Sequence, residues 1–160
     1  MLLARLKVIL KKQYLQNGFK ITCAESCTGG MLAAALTDLP GSSAIFDRGF
    51  ITYSNTAKIE LLGVSPKTLD EYGAVSEQVA REMALGALLR SDAQVAVSVT
   101  GIAGPGASSF KPEGRVCFAL AKQKSSCRTE VVEFGPIGRG NVRFESCRFA
   151  LKWLSEIDKF

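Results

Sequence analysis

Lys20-Ile21-Thr22-Cys23-Ala24-Glu25-Ser26-Cys27-Thr28-Gly29-Gly30 decides how this chain folds. Lys20 to Ala24 is an apolar-leaning strand. Glu25, Ser26, Cys27 and Thr28 then set four functional side chains in a row. The two glycines supply a tight turn, and a helix starts at Gly29 or Gly30 and runs to Asp38, stopped by Leu39-Pro40-Gly41. A strand that ends on Ser and Cys and turns into a helix presents a nucleophile beside N–H groups with no partner inside the helix.

Working outward, helices and strands alternate. Leu3, Leu6, Leu10 and Tyr14 recur at helical spacing and face inward on a first helix that ends at Asn17-Gly18. Arg48 to Tyr53 is rich in β-formers. Ser54 then caps a helix from Asn55 to Leu62, and Gly63 stops it. Ser65-Pro66 starts a further helical turn. Ser76 caps a long helix, Glu77 to Arg90, with Val79, Met83, Leu85 or Gly86, and Leu89 along its inner side. Val95 to Val99 is a near-continuous apolar strand, suited to a sheet covered on both faces. Val116 to Ala121 and Val131 to Phe134 are two more strands. A final helix begins at Arg139, with Val142, Cys147, Ala150, Leu151 and Leu154 inward. The pattern predicts an α/β fold, layered α/β/α, with a mixed, largely parallel central sheet. Ala107 to Glu113 is expected to be a mobile loop.

The chain has 160 residues, which suits one domain at ~100–200 residues each. Hydrophobic residues make up 47% and charged residues 22%, the balance of a soluble globular protein. Net charge is +5, but the basic residues are scattered and form no stripe with aromatics between them. That favours a small anionic ligand over nucleic acid. Charges at Arg5 and Lys7 interrupt the apolar N-terminus, so neither a signal peptide nor a membrane span is expected. Five cysteines, with no Cys-x-x-Cys pair and no histidine, make a metal site unexpected. Cys23, Cys117 and Cys147 sit in apolar runs as buried thiols, in keeping with a reducing cytoplasm.

The missing histidine shapes the chemistry. If Ser26 is a nucleophile, another group must take its proton, and lysine does so in Ser–Lys variants of the triad. Such a lysine must lie well below the ordinary value of about 10.4, through burial or a nearby cation. Lys58 is the chosen base: it follows Tyr53-Ser54-Asn55 and shares a helix face with Ser54. The N–H groups of Thr28, Gly29 and Gly30 are suited to an oxyanion or a phosphate. Thr100-Gly101-Ile102-Ala103-Gly104-Pro105-Gly106 is a second glycine-rich turn in a ligand-binding position. Neither turn carries a nucleoside-triphosphate or dinucleotide fingerprint. Arg139 and Arg143 could fork onto a phosphate or belong to a solvated helix face. Glu25 could orient a lysine, position a substrate or form an ion pair. Cys27 is either a rival nucleophile or a packed thiol.

Four blocks taken together resemble the CinA C-terminal domain family, the PncC nicotinamide-nucleotide amidases. They are Ala24 to Gly30, Gly49 to Asn55 with Lys58, Gly73-Ala74-Val75-Ser76, and Thr100 to Pro105. The resemblance covers about residues 5 to 155. It implies hydrolysis of the carboxamide of nicotinamide mononucleotide to nicotinate mononucleotide and ammonia, in pyridine nucleotide salvage. It implies no metal or organic cofactor, and a homo-oligomer. Ser26 would be the nucleophile, Lys58 the base, Tyr53 the assisting tyrosine and Thr100 the threonine of the second turn, next to Gly101. The phosphate-side arginine would fall in Gly138-Arg139-Gly140-Asn141-Val142-Arg143. Here the family's Gly-Asp-Arg reads Ile137-Gly138-Arg139, and its Lys-Pro-Val-Gly-Thr reads Lys111-Pro112-Glu113-Gly114-Arg115. Residues 1–160 are expected to form a single amidohydrolase domain. With only about twenty residues before the first motif, the N-terminal domain that longer relatives carry is expected to be absent. Two alternatives stand beside this reading: a non-catalytic nucleotide-binding module, and an amidase for another pyridine or nucleotide amide.

Overall fold

The computed structural model describes residues 2–108 and 110–159. The side chain of Leu3, expected to face inward, and Ser109 of the expected loop lie outside the described residues. In chain order the elements are α1 (Leu2–Asn17), β1 (Ile21–Glu25), α2 (Met31–Thr37), β2 (Phe46–Ile51), α3 (Asn55–Leu62), α4 (Pro66–Tyr72), α5 (Glu77–Leu89), β3 (Val95–Gly101), β4 (Arg115–Lys122), β5 (Cys127–Glu133) and α6 (Arg139–Leu154). Among the described residues, no helix is long and apolar enough to cross a membrane.

Local chemistry starts and stops several of these elements. The Ser54 side chain accepts the Ala57 N–H at the head of α3, and Gly63 ends that helix at φ 72°. Ser76 accepts the Val79 N–H and caps α5. β2 lies two residues earlier than its composition suggested, so Tyr53 falls beyond the strand, in the loop that carries it to the site.

The five strands form one mixed sheet in the order β2-β1-β3-β4-β5. β1 pairs in parallel with both β2 and β3, while β4 runs antiparallel to β3 and β5 antiparallel to β4. Four strands therefore point one way and β4 the other. Side chains alternate across the sheet. Val95, Val97, Val99, Val116, Phe118 and Leu120 face one core, with Tyr14 of α1 and Leu151 of α6. Ala24, Ala96, Ala119 and Ala121 face a second core against α5 and Leu62 of α3. The result is a helical layer on each face of the sheet.

Small residues on that second face bring α5 close. Its buried positions are Val79, Ala80, Met83, Ala84, Gly86 and Ala87. A Cβ at Gly86 would stand 2.0 Å from Leu62 O, so α3 and α5 touch backbone to backbone there. Leu89, expected on the inner face, is 82% exposed: it lies at the helix end, where the buried stripe has already rotated away.

Candidate active site

Because β1, β2 and β3 share one direction, the segments leaving them meet at one edge of the sheet. β1 is also where the connections diverge. α2, which follows it, packs on one face, and α3 to α5, which follow β2, cover the other. Ligand sites in open α/β sheets form at such a divergence.

Ser26 is the first residue past β1. Its N–H still bonds Val99 O of β3 at 2.9 Å, so the sheet holds its backbone. The chain then reverses through Gly29 (φ 58°) and Gly30 (φ 99°), a left-handed pair that favours glycine. The reversal brings the first turn of α2 back over Glu25. That fully buried carboxylate accepts N–H groups from Gly30 at 3.0 Å, Leu32 at 3.1 Å and Ala33 at 2.8 Å. Glu25 is therefore the cap of α2, and neither a lysine partner nor a substrate contact. The N–H groups expected to meet an oxyanion are largely committed. Gly30 donates to Glu25, and Gly29 donates to Ser26 O at 3.1 Å. The Thr28 N–H has no acceptor among the described residues, and the Cys27 N–H meets only its own thiol.

The structure brings Lys58 to Ser26. Nζ lies 3.0 Å from Ser26 Oγ, 2.9 Å from Thr52 O and 3.4 Å from Tyr53 O. The sheet sets this meeting, since the Thr52 N–H donates to Glu25 O at 2.8 Å. Lys58 is only 1% exposed, and burial holds its ammonium below the ordinary range, opposed in part by Cys27. Three neighbours match the two forms of the amine. As an ammonium it donates to all three oxygens. As a neutral amine it keeps both carbonyls and turns its lone pair to the serine hydroxyl.

A cleft of about 330 Å³ opens beside this pair, at the low end of the roughly 300–1,000 Å³ of small-molecule sites. Ser26, Cys27, Tyr53, Lys58, Arg139 and the turn from Thr100 to Ser108 wall it. Thr28, Gly29, Gly30 and Arg143 are not among its walls. Thr100 Oγ1 donates to Ala74 O at 2.8 Å and pins the neighbouring loop. At Gly101 a Cβ would stand 2.7 Å from Val116 Cγ2, so the turn passes too close to β4 for a side chain.

The two arginines of α6 divide. Arg139 reaches into the cleft, where Nη1 donates to Gly104 O at 2.8 Å and Nη2 to the Tyr53 hydroxyl at 2.9 Å. Arg143 goes beneath the turn after β1. Its Nε donates to Cys27 O at 3.1 Å and its Nη2 to Thr28 O at 3.0 Å. The pair expected to fork onto one phosphate is thus split between two tasks. Tyr53 also differs from expectation: its carbonyl, not its hydroxyl, meets Lys58. Cys27 lines the cleft, but burial pushes its thiol up to about 12. A thiol held there is a poor source of thiolate, which leaves Ser26 as the nucleophile candidate.

Glu113 is the residue that sequence reasoning passed over. Its Oε2 accepts the Gly106 N–H at 2.6 Å and holds the outer part of the second turn. The departure from the family's Lys-Pro-Val-Gly-Thr was its signal.

The CinA C-terminal domain profile matches residues 3–157. A relative from Enterobacter agglomerans, nicotinamide-nucleotide amidohydrolase PncC, is 56% identical over 85% of this chain and 83% of its own length. A CinA-like protein from Chlorobium limicola is 60% identical over 69% of this chain, which spans only 26% of that longer protein. The crystal structure of the competence/damage inducible protein CihA from Agrobacterium tumefaciens superposes at a TM-score of 0.91. It is 44% identical and covers 96% of this chain and 95% of its own. With one profile spanning nearly its full length and the same fold recovered at that identity, the chain belongs to the CinA C-terminal domain family.

Proposed function

We propose that this chain is a nicotinamide-nucleotide amidohydrolase, converting nicotinamide mononucleotide and water to nicotinate mononucleotide and ammonia. The observation that carries the reading is the 3.0 Å contact between Lys58 Nζ and Ser26 Oγ in the wall of the cleft. The name borne by the Enterobacter agglomerans relative supports the same chemistry.

In the proposed reaction, neutral Lys58 takes the Ser26 proton as Oγ attacks the carboxamide carbon. The N–H of Cys27, which walls the cleft beside Ser26, receives the oxyanion, in place of those of Thr28, Gly29 and Gly30. The Lys58 ammonium then returns the proton to the amide nitrogen. The C–N bond breaks, ammonia leaves, and Ser26 carries the acyl group as an ester. Water attacks that ester, Lys58 takes its proton, and the collapse of the second oxyanion, with that proton passing from Lys58 to Oγ, frees nicotinate mononucleotide and restores the Ser26 hydroxyl. Arg139 is placed to meet the substrate phosphate, with Tyr53 holding it. Thr100 and Gly101 shape the wall facing the ring. The reading places the chain in the cytoplasm, in pyridine nucleotide salvage, as a single-domain homo-oligomer.

The test is ammonia release from nicotinamide mononucleotide, compared with Ser26→Ala. Wild type should release it, and the variant should retain less than about a thousandth of the rate, in the range for loss of an activated nucleophile. Equal release by both would end the serine mechanism. Binding without release by either would identify a nucleotide-binding module.

A further inference from the structure

We propose that Arg143 is a positioning residue for amide hydrolysis, acting through the Cys27 and Thr28 peptides and not on the substrate phosphate. The inference rests on the function proposed above and adds a part to it.

In a trans peptide the carbonyl and the following N–H point in opposite directions. Whatever fixes the carbonyl therefore aims the N–H. Ser26 O is fixed by the Gly29 N–H, which aims the Cys27 N–H away from the inside of the turn. Cys27 O is fixed by Arg143 Nε at 3.1 Å, which aims the Thr28 N–H away from the arginine. Thr28 O is taken by Arg143 Nη2 at 3.0 Å. Cys27, which walls the cleft, is thus held on both sides, and among the described residues its N–H meets only its own thiol. The same guanidinium would lie 3.4 Å from a Cβ at Gly29, so it packs directly under the turn.

The charge matters as well as the fork. Glu25 occupies the N–H groups at the head of α2, so that helix end presents its partial positive charge to a carboxylate and not to the substrate. Arg143 is the cation that polarises the turn's carbonyls from the far side. The effect is exerted on the transition state, where the oxyanion forms, and hardly at all on the bound amide.

The experiment compares wild type with Arg143→Met, Arg143→Lys and Arg139→Gln. Three quantities are read: kcat and KM for nicotinamide mononucleotide, the rate of Ser26 labelling by an alkyl fluorophosphonate followed by intact mass, and Tm. Labelling forms a P–O bond to Ser26 and expels fluoride, with the serine proton passing to Lys58. It needs the turn but no substrate phosphate. Arg143→Met should lower kcat and labelling together by about 100-fold, as loss of one oxyanion donor does, with KM within about twofold. Added guanidinium ion should restore part of both. Arg143→Lys, which cannot fork onto two carbonyls, should stay near the Met variant. Arg139→Gln should raise KM by a much larger factor than it slows labelling, the reverse of the Arg143→Met pattern. The proposal is overturned if Arg143→Met raises KM with labelling intact, the pattern of a phosphate ligand. It is also overturned if only Tm falls, the pattern of a packing residue. If wild type is labelled but releases no ammonia, the proposed substrate fails while labelling still decides the role of Arg143. If wild type is not labelled at all, both readings fall.

Discussion

The turns that leave β1 and β3 stand side by side over the cleft, yet they are held in opposite ways. In the first, Ser26, Cys27 and Thr28 are all buried. Glu25 grips the helix that follows, and Arg143 takes two carbonyls. In the second, residues 105 to 108 are exposed. Its base is tied to β4 through the Ile102 backbone and its far end through the Ser108–Lys111 pair, while between them single side-chain contacts hold it, Arg139 to Gly104 O and Glu113 to the Gly106 N–H. Bond-making requires reacting atoms held within fractions of an ångström, whereas a rim that admits and releases a nucleotide works better when it can give. One rigid and one adaptable turn divide these duties between neighbouring strands.

The sharpest way to test the rigid side is Lys58→Met, which keeps the buried stem and removes the base. kcat/KM should fall about 1,000-fold, within the usual range for a general base, and steady-state ammonia assays read it directly. In wild type the amine must be neutral to act. Because burial lowers its pKa, activity should rise with pH to a plateau reached below the ordinary lysine value of about 10.4. It should be lost as pH falls through the depressed value. A limb centred at the unperturbed value would contradict the burial argument.

Glu25→Gln breaks the same side less severely. The amide offers one acceptor oxygen where the carboxylate has two, and its NH2 faces a helix N–H. An unsatisfied buried donor costs about 2 kcal/mol, or roughly 5 °C in Tm for a chain of this size, measured by thermal unfolding. kcat should fall with it, since the turn loses its floor. The smallest effect belongs to the adaptable side. Glu113→Ala releases the Gly106 N–H and should raise KM about threefold, on the order of one hydrogen bond, with kcat unchanged. A large loss of kcat there would erase the division between the two turns.

What could be read in the sequence was local. Ser54, Gly63 and Ser76 act on groups within four residues of themselves, so their capping roles follow from composition. The pairing of Ser26 with Lys58 was legible through the absent histidine and the resemblance of the blocks around them. Glu25 was not, because its donors begin five residues away, across a left-handed reversal that propensity does not specify. Arg143 was not, because four residues on a helix suggest one shared face. The packing of α6 instead sends Arg139 to the cleft and Arg143 under the turn. Leu89 failed for a similar reason, since a helical stripe predicts a face but not where the neighbouring layer stops covering it.

Ser26 and Lys58 belong to opposite sides of the sheet. The serine feeds the helical layer of α2, and the lysine stands on α3 in the layer beyond, with the parallel ladder of β1 and β2, closed by the Thr52 N–H to Glu25 O bond, between them. The sheet edge therefore works as a caliper, and the gap between nucleophile and base is its reading. Any substitution that shifts α3 within its own layer, such as a side chain at Gly86 forcing α3 and α5 apart, would register in that gap without touching the cleft.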